Sequence, residues 1–146
     1  MKTIGILGGM SWESTALYYR RINEGVRRRL GGLHSARIVL VSVDFATIEP
    51  LQAAGDWDAA GERLAADARR VEAGGADFLL LATNTMHRCA HAIRAAIDIP
   101  LLHLADATAD AVEAAGTARV GLLGTRYTME QPFYRERLEQ LGLVVD

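Results

Sequence analysis

Cysteine is all but missing from this sequence, with Cys89 alone among 146 residues. One thiol cannot close an internal disulfide, and no group of His, Cys, Asp or Glu stands at metal-ligand spacing. Neither a disulfide framework nor a structural metal is therefore expected. A dominant charge is missing too, since 16 Lys and Arg against 18 Asp and Glu leave a net charge of −2. That balance gives no basic field for nucleic acid or an anionic membrane. The local cluster Arg27-Arg28-Arg29 reads as the solvated end of a helix. No apolar run reaches the roughly 18 residues that a membrane span needs. Met1-Lys2 leads straight into a strand-like run, without the apolar core of a signal peptide. A soluble, cytoplasmic protein with no membrane or nucleic-acid partner is the expectation.

What the sequence does have is apolar content, 50% of its residues, enough for one ordinary globular core. These residues fall into short runs that alternate with longer amphipathic stretches. The runs at 3–9, 36–43, 76–82, 99–104 and 118–124 predict strands, and the stretches at 12–30, 57–73, 84–96, 106–115 and 129–141 predict helices. Such alternation is the pattern of an α/β fold, a Rossmann-like parallel sheet flanked by helices on both faces. Gly31-Gly32, Gly74-Gly75 and Gly116 stand where helices should stop.

Sliding the chain by 116 positions lays IGILGGMSWESTALYYRRI (4–22) on VGLLGTRYTMEQPFYRERL (120–138). Gly5 meets Gly121, Leu7 meets Leu123, Gly8 meets Gly124, Tyr18 meets Tyr134 and Arg21 meets Arg137. Two β-turn-helix units can match by composition, but the preferred reading is a second, similar α/β half that begins near residue 118. Residues 1–117 then form a first α/β domain, and 118–146 begin a second that stops after one strand, one helix and the start of another strand. Apolar strands without partners invite self-association, so a homodimer is expected.

In parallel sheets ligands bind beyond the carboxyl ends of the strands, so the residues after each run matter most. Gly8-Gly9 follows the first run, but GILGGMSWEST lacks the register and the third glycine of G-x-G-x-x-G. That argues against a dinucleotide cofactor. The turn offers backbone amides and a helix start with Ser11, Ser14 and Thr15, groups that can hold a small anion or only cap the helix. Thr83-Asn84-Thr85 closes the third run in the same manner, and for it too a ligand site and a plain N-cap both stand open.

The stretches KTIGILGGMSWEST, LGGLHSARIVLVSVDFATIE, TNTMH, LHLADAT and LLGTRYTMEQPFYRERL cover essentially the whole chain in order. Together they resemble the aspartate/glutamate racemase family, in particular its bacterial amino-acid racemases. The resemblance implies two similar α/β domains around a small amino-acid substrate, with no pyridoxal phosphate (PLP), metal, nucleotide or other cofactor. It also implies inversion at Cα by acid/base groups on opposite faces, because a single group would return the proton to the side it left.

The family's first domain carries Cys-Asn-Thr after the third strand, and Thr83-Asn84-Thr85 stands at that place. The resemblance therefore makes Thr83 the first acid/base position, with Ala82 where sequences carrying threonine commonly have a cysteine. Met10, Ser11, Gln52, Asn84 and Thr85 take the substrate-binding positions, and Thr125 and Thr128 are secondary candidates at the matching turn. The second cysteine of the family belongs to a Gly-Cys-Thr-Glu motif that this sequence does not contain. The chain is thus expected to be an N-terminal portion that carries one wall of the site. Cys89 lies about 9 Å of helical rise beyond Thr83 and reads as a packed helix residue. His87 either supports the site or packs, His34 and His103 read as structural, and His91 as solvated. The other functional reading is a catalytically inactive amino-acid-binding or regulatory module, since neither Ala82 nor Thr83 supplies a thiol.

Overall fold

A computed structural model describes residues 1–146. At its centre β1 (Thr3–Gly8) is hydrogen-bonded on both sides, to β2 (Arg37–Ser42) and to β3 (Phe78–Leu81). With β4 (Leu101–Leu102) they make a parallel sheet of order β2-β1-β3-β4. Side chains alternate along a strand, so Gly5 and Leu7 face one side of the sheet while Ile6 and Gly8 face the other. A Cβ on Gly5 would run into Val71 of α3 (Trp57–Ala73), and one on Gly8 would run into Thr15 of α1 (Trp12–Leu30). Helices therefore cover both faces, and glycine in β1 lets them approach closely.

Local chemistry sets the long helices. Ser11 caps α1 by accepting a hydrogen bond from Ser14 N–H at 3.2 Å, and Arg27, Arg28 and Arg29 sit in its last turn against the negative end of the dipole. Gly31, at φ 75°, ends that helix. Asp56 caps α3 by accepting from Ala59 N–H at 3.1 Å. Leu64, Ala68 and Val71 of α3 are fully buried against Leu7, Leu79 and Leu81, beside Met86 and Ile93. Each such leucine contributes about 1.5–3 kcal/mol relative to exposure.

A second, two-stranded parallel sheet joins β5 (Arg119–Val120) to β6 (Val144–Val145) by way of α6 (Arg126–Glu130) and α7 (Pro132–Gln140). Its core draws in α5 (Leu104–Ala114), whose Ala105 and Ala109 are buried with Tyr134, Leu138, Leu143 and Val145. Arg137 grips Asp106 of α5 with two hydrogen bonds, at 2.7 and 2.9 Å. No helix is long and apolar enough to cross a membrane.

Several elements differ from the sequence expectation. The run at 118–124 forms a strand only at Arg119–Val120, and the run at 99–104 only at Leu101–Leu102. The stretch at 129–141 breaks into α6 and α7 because Gln131 is extended, at φ −90° and ψ 144°. Pro132 follows it, and proline disfavours helical geometry in the residue before it. The stretch at 84–96 opens with a 3-10 turn, Thr85–Cys89, before α4 (Ala90–Ala95). A short α2 (Glu49–Ala54) after a 3-10 turn at Phe45–Thr47 has no counterpart among the expected helices.

Gly9 leaves β1 at φ 94°, and a Cβ there would fall 2.5 Å from the backbone nitrogen of Val43. Gly9→Ala should lower the unfolding free energy by about 1–3 kcal/mol through crowding and left-handed strain. The check is a lower urea midpoint with an unchanged slope.

Candidate active site

The register of Leu7 on Leu81 sends the turns after β1 and β3 out of the same edge of the sheet, side by side. Ala82 N–H still donates to Leu7 O at 2.9 Å, so the pairing persists to the first residue beyond β3. A ligand at this edge could touch both turns at once.

In the first turn the buried Thr15 hydroxyl is the hub. It accepts from Gly9 N–H at 2.9 Å and donates to Ser11 O at 2.9 Å. The Gly9 amide is therefore consumed within the turn, and Ser11 Oγ serves as the helix cap. Met10 is half-buried and packs against the main core, while Ser11 stays exposed. Gln52 lies on α2, half-buried, on the segment that follows β2 at the same edge.

The second turn is organised differently. Asn84 holds the cap position of the 3-10 turn without a side-chain capping bond. Thr85 Oγ1 instead lies 3.2 Å from Thr125 Oγ1, which lies 3.4 Å from Thr128 Oγ1. A row of hydroxyls thus bridges the two sheets. Beside it, Asn84, Thr108, Thr128 and Tyr134 help to line a cavity of about 340 Å³. The largest cavity, about 730 Å³, lies elsewhere, between the C-terminal half of α1 and residues 32–35 at the opposite edge of the sheet.

Behind Thr83 stand two imidazoles. His87 Nε2 accepts from Leu104 N–H at 3.2 Å, and His87 Nδ1 lies 2.6 Å from Thr83 O. A backbone amide can only donate, so Nε2 is unprotonated and Nδ1–H donates to the carbonyl. His103 Nδ1 accepts from Ala105 N–H at 3.2 Å, and the rings meet edge to face at 4.3 Å. His103 is thereby the cap of α5. The Thr83–His87 spacing of four residues, about one helical turn, was the available sequence signal for this bond, whereas nothing in the sequence marked the bond from His87 to Leu104.

Cys89 is buried, its thiol directed at Trp57 O at 3.6 Å. Burial pushes that thiol up to about 11, so it stays protonated near neutral pH. No group of three or more His, Cys, Asp or Glu converges in a way that could hold a metal ion.

Residues 7–146 match the model of the Asp/Glu/Hydantoin racemase family. The chain belongs to this family. A Yersinia pestis protein whose crystal structure was solved as a candidate Asp/Glu racemase is 55% identical, with a TM-score of 0.95 over 100% of this chain and 64% of its own. An aspartate racemase homologue from Pyrococcus horikoshii OT3 is 32% identical, with a TM-score of 0.89 over the same shares. The broad specificity amino-acid racemase RacX of Bacillus subtilis (strain 168) is 26% identical over 95% of this chain. The chain spans 61% of the length of RacX and 64% of each of the two structures.

The imidazole pair makes stability depend on pH. Burial lowers both His87 and His103 to about 4, against an ordinary value of about 6.5. Between those values the unfolded chain binds more protons than the folded one, so stability is complete above about 6.5 and falls as pH drops toward 4. Thermal unfolding at intervals from pH 7 to 4.5 should show a continuous decline in Tm. A flat profile would contradict a buried neutral pair.

Proposed function

We propose that this chain forms one wall of the active site of a PLP-independent amino-acid racemase of the aspartate/glutamate type. The enzyme would interconvert L and D enantiomers by two-base proton transfer at Cα. The observation that carries this reading is the meeting of Thr85 with Thr125 across the two sheets at 3.2 Å, next to the turn at 9–11. Family membership supports an amino acid as substrate and racemisation as the reaction.

In this reading Met10, Ser11, Asn84 and Thr85 hold the carboxylate and amino groups through amides and hydroxyls, and Gln52 contributes from α2. Thr125 and Thr128 extend the same surface from the second half, which begins near residue 118 and recruits α5 into its core. Thr83 stands at the acid/base position. A hydroxyl is a poor base without a partner to take its proton, and the protonated Cys89 thiol is no substitute. The absence of a thiol at Ala82 and Thr83 favours a second reading, an amino-acid-binding module without catalysis.

One wall alone has a distinctive chemical signature. A base on one face can remove a proton and return a deuteron to that face, so exchange proceeds with configuration retained. The purified 146-residue chain, incubated with each enantiomer of aspartate and glutamate in deuterium oxide, should exchange Cα of one enantiomer slowly without racemising it. Thr83→Ala should abolish that exchange. Binding without exchange would favour the module, and racemisation at enzymatic turnover would overturn the one-wall reading.

Association is expected as well. Leu123 is 91% exposed, and Leu102 and Val144 are about half exposed, apolar side chains that association into a homodimer would cover. Light scattering should show the mass rising with concentration in the micromolar range, and a constant monomer mass would contradict this.

A further inference from the structure

We propose that His87 is a positioning residue for Thr83, fixing the peptide that carries this hydroxyl by clamping its carbonyl to the first turn of α5. The inference rests on the reading of Thr83 as the acid/base position. Thr83 is held at both ends: its N–H donates to Leu81 O at 2.9 Å and its carbonyl accepts from His87 Nδ1–H at 2.6 Å. With both ends of the residue tied, its side chain leaves the backbone in one direction.

The anchor is rigid on its far side. His87 is 3% exposed, and its Nε2 is committed to Leu104 N–H, at the start of α5. The ring is braced by His103, which caps the next amide of the same helix. α5 is in turn fastened to α7 by the Asp106–Arg137 pair and by Thr108 Oγ1, 3.4 Å from Tyr134 OH. One imidazole therefore links Thr83 to the unit that carries Thr125 and Thr128. An apolar side chain could fill the space but would leave the Leu104 amide and the Thr83 carbonyl without partners. A structural filler has no need of the specific tautomer that both bonds require.

Nitrogen-15 NMR on the 146-residue chain at pH 7 should find His87 protonated at Nδ1 and bare at Nε2. His87→Leu should displace the Thr83, Asn84 and Thr85 amide signals and lower Cα exchange about a hundredfold, the scale of a misplaced reacting group. His87→Asn, whose side-chain amide can donate to the Thr83 carbonyl, should restore both readouts while sharing the loss of thermal stability. If the wild-type chain exchanges no amino acid, the functional reading fails alone, and the tautomer with the amide signals still judges the clamp. An Nε2-protonated ring, unmoved amides in His87→Leu, or equal displacement in both variants would overturn it. If His87→Leu does not fold, the wild-type tautomer and retained amide positions in His87→Asn decide the question.

Discussion

The double pairing of β1 is the constraint on which the other features rest. A strand with parallel neighbours on both edges and helices on both faces has no exposed side, so from Ile4 to Gly8 its side chains are apolar or absent. Gly5 yields to Val71 on one face and Gly8 yields to Thr15 on the other. Parallel pairing also dictates that β1, β2 and β3 end at the same edge, because each return passes through a crossover helix. The turns at 9–11 and 83–85 are neighbours for that reason, and α2 with Gln52 follows at the same edge.

At that edge, polar groups are matched within the fold. The Thr15 hydroxyl serves two backbone groups of one turn, and His87 and His103 each satisfy an amide at the start of α5. Burial keeps both rings neutral, and neutrality is what lets their bare nitrogens accept. Beyond these stand the mutually bonded hydroxyls of Thr85, Thr125 and Thr128, the exposed Asn84 and the half-buried Thr83. The proposed amino-acid site rests on these groups and not on Cys89, whose thiol is buried and protonated.

Much of the fold was legible because its signals are local. α1 and α3 run over the residues that periodicity marked, since Ser11 and Asp56 cap them and Gly31 and Gly74 end them. The strands at the centre of the sheet were equally plain as β-branched and leucine-rich runs. Shorter elements were not. Six residues of α2 hold too little periodicity to stand out, and Pro132 splits one amphipathic stretch in two through a single pre-proline residue. The run ARVGLLG is apolar enough for a strand, yet only Arg119 and Val120 find paired residues, opposite Val144 and Val145.

By itself, then, the sequence determined the alternation of strand and helix, the caps, and the places where strands give way to polar turns, because these depend on residues within one or two turns of each other. The tertiary structure decided which turns face each other and which polar atoms are spent. Thr85 meets Thr125 across 40 positions and His87 meets Leu104 across 17, contacts with no periodic trace. The same applies to protonation: the tautomer of His87 follows from a backbone amide that only folding brings near, and the height of the Cys89 pKa follows from burial, which depends on the neighbours that packing supplies.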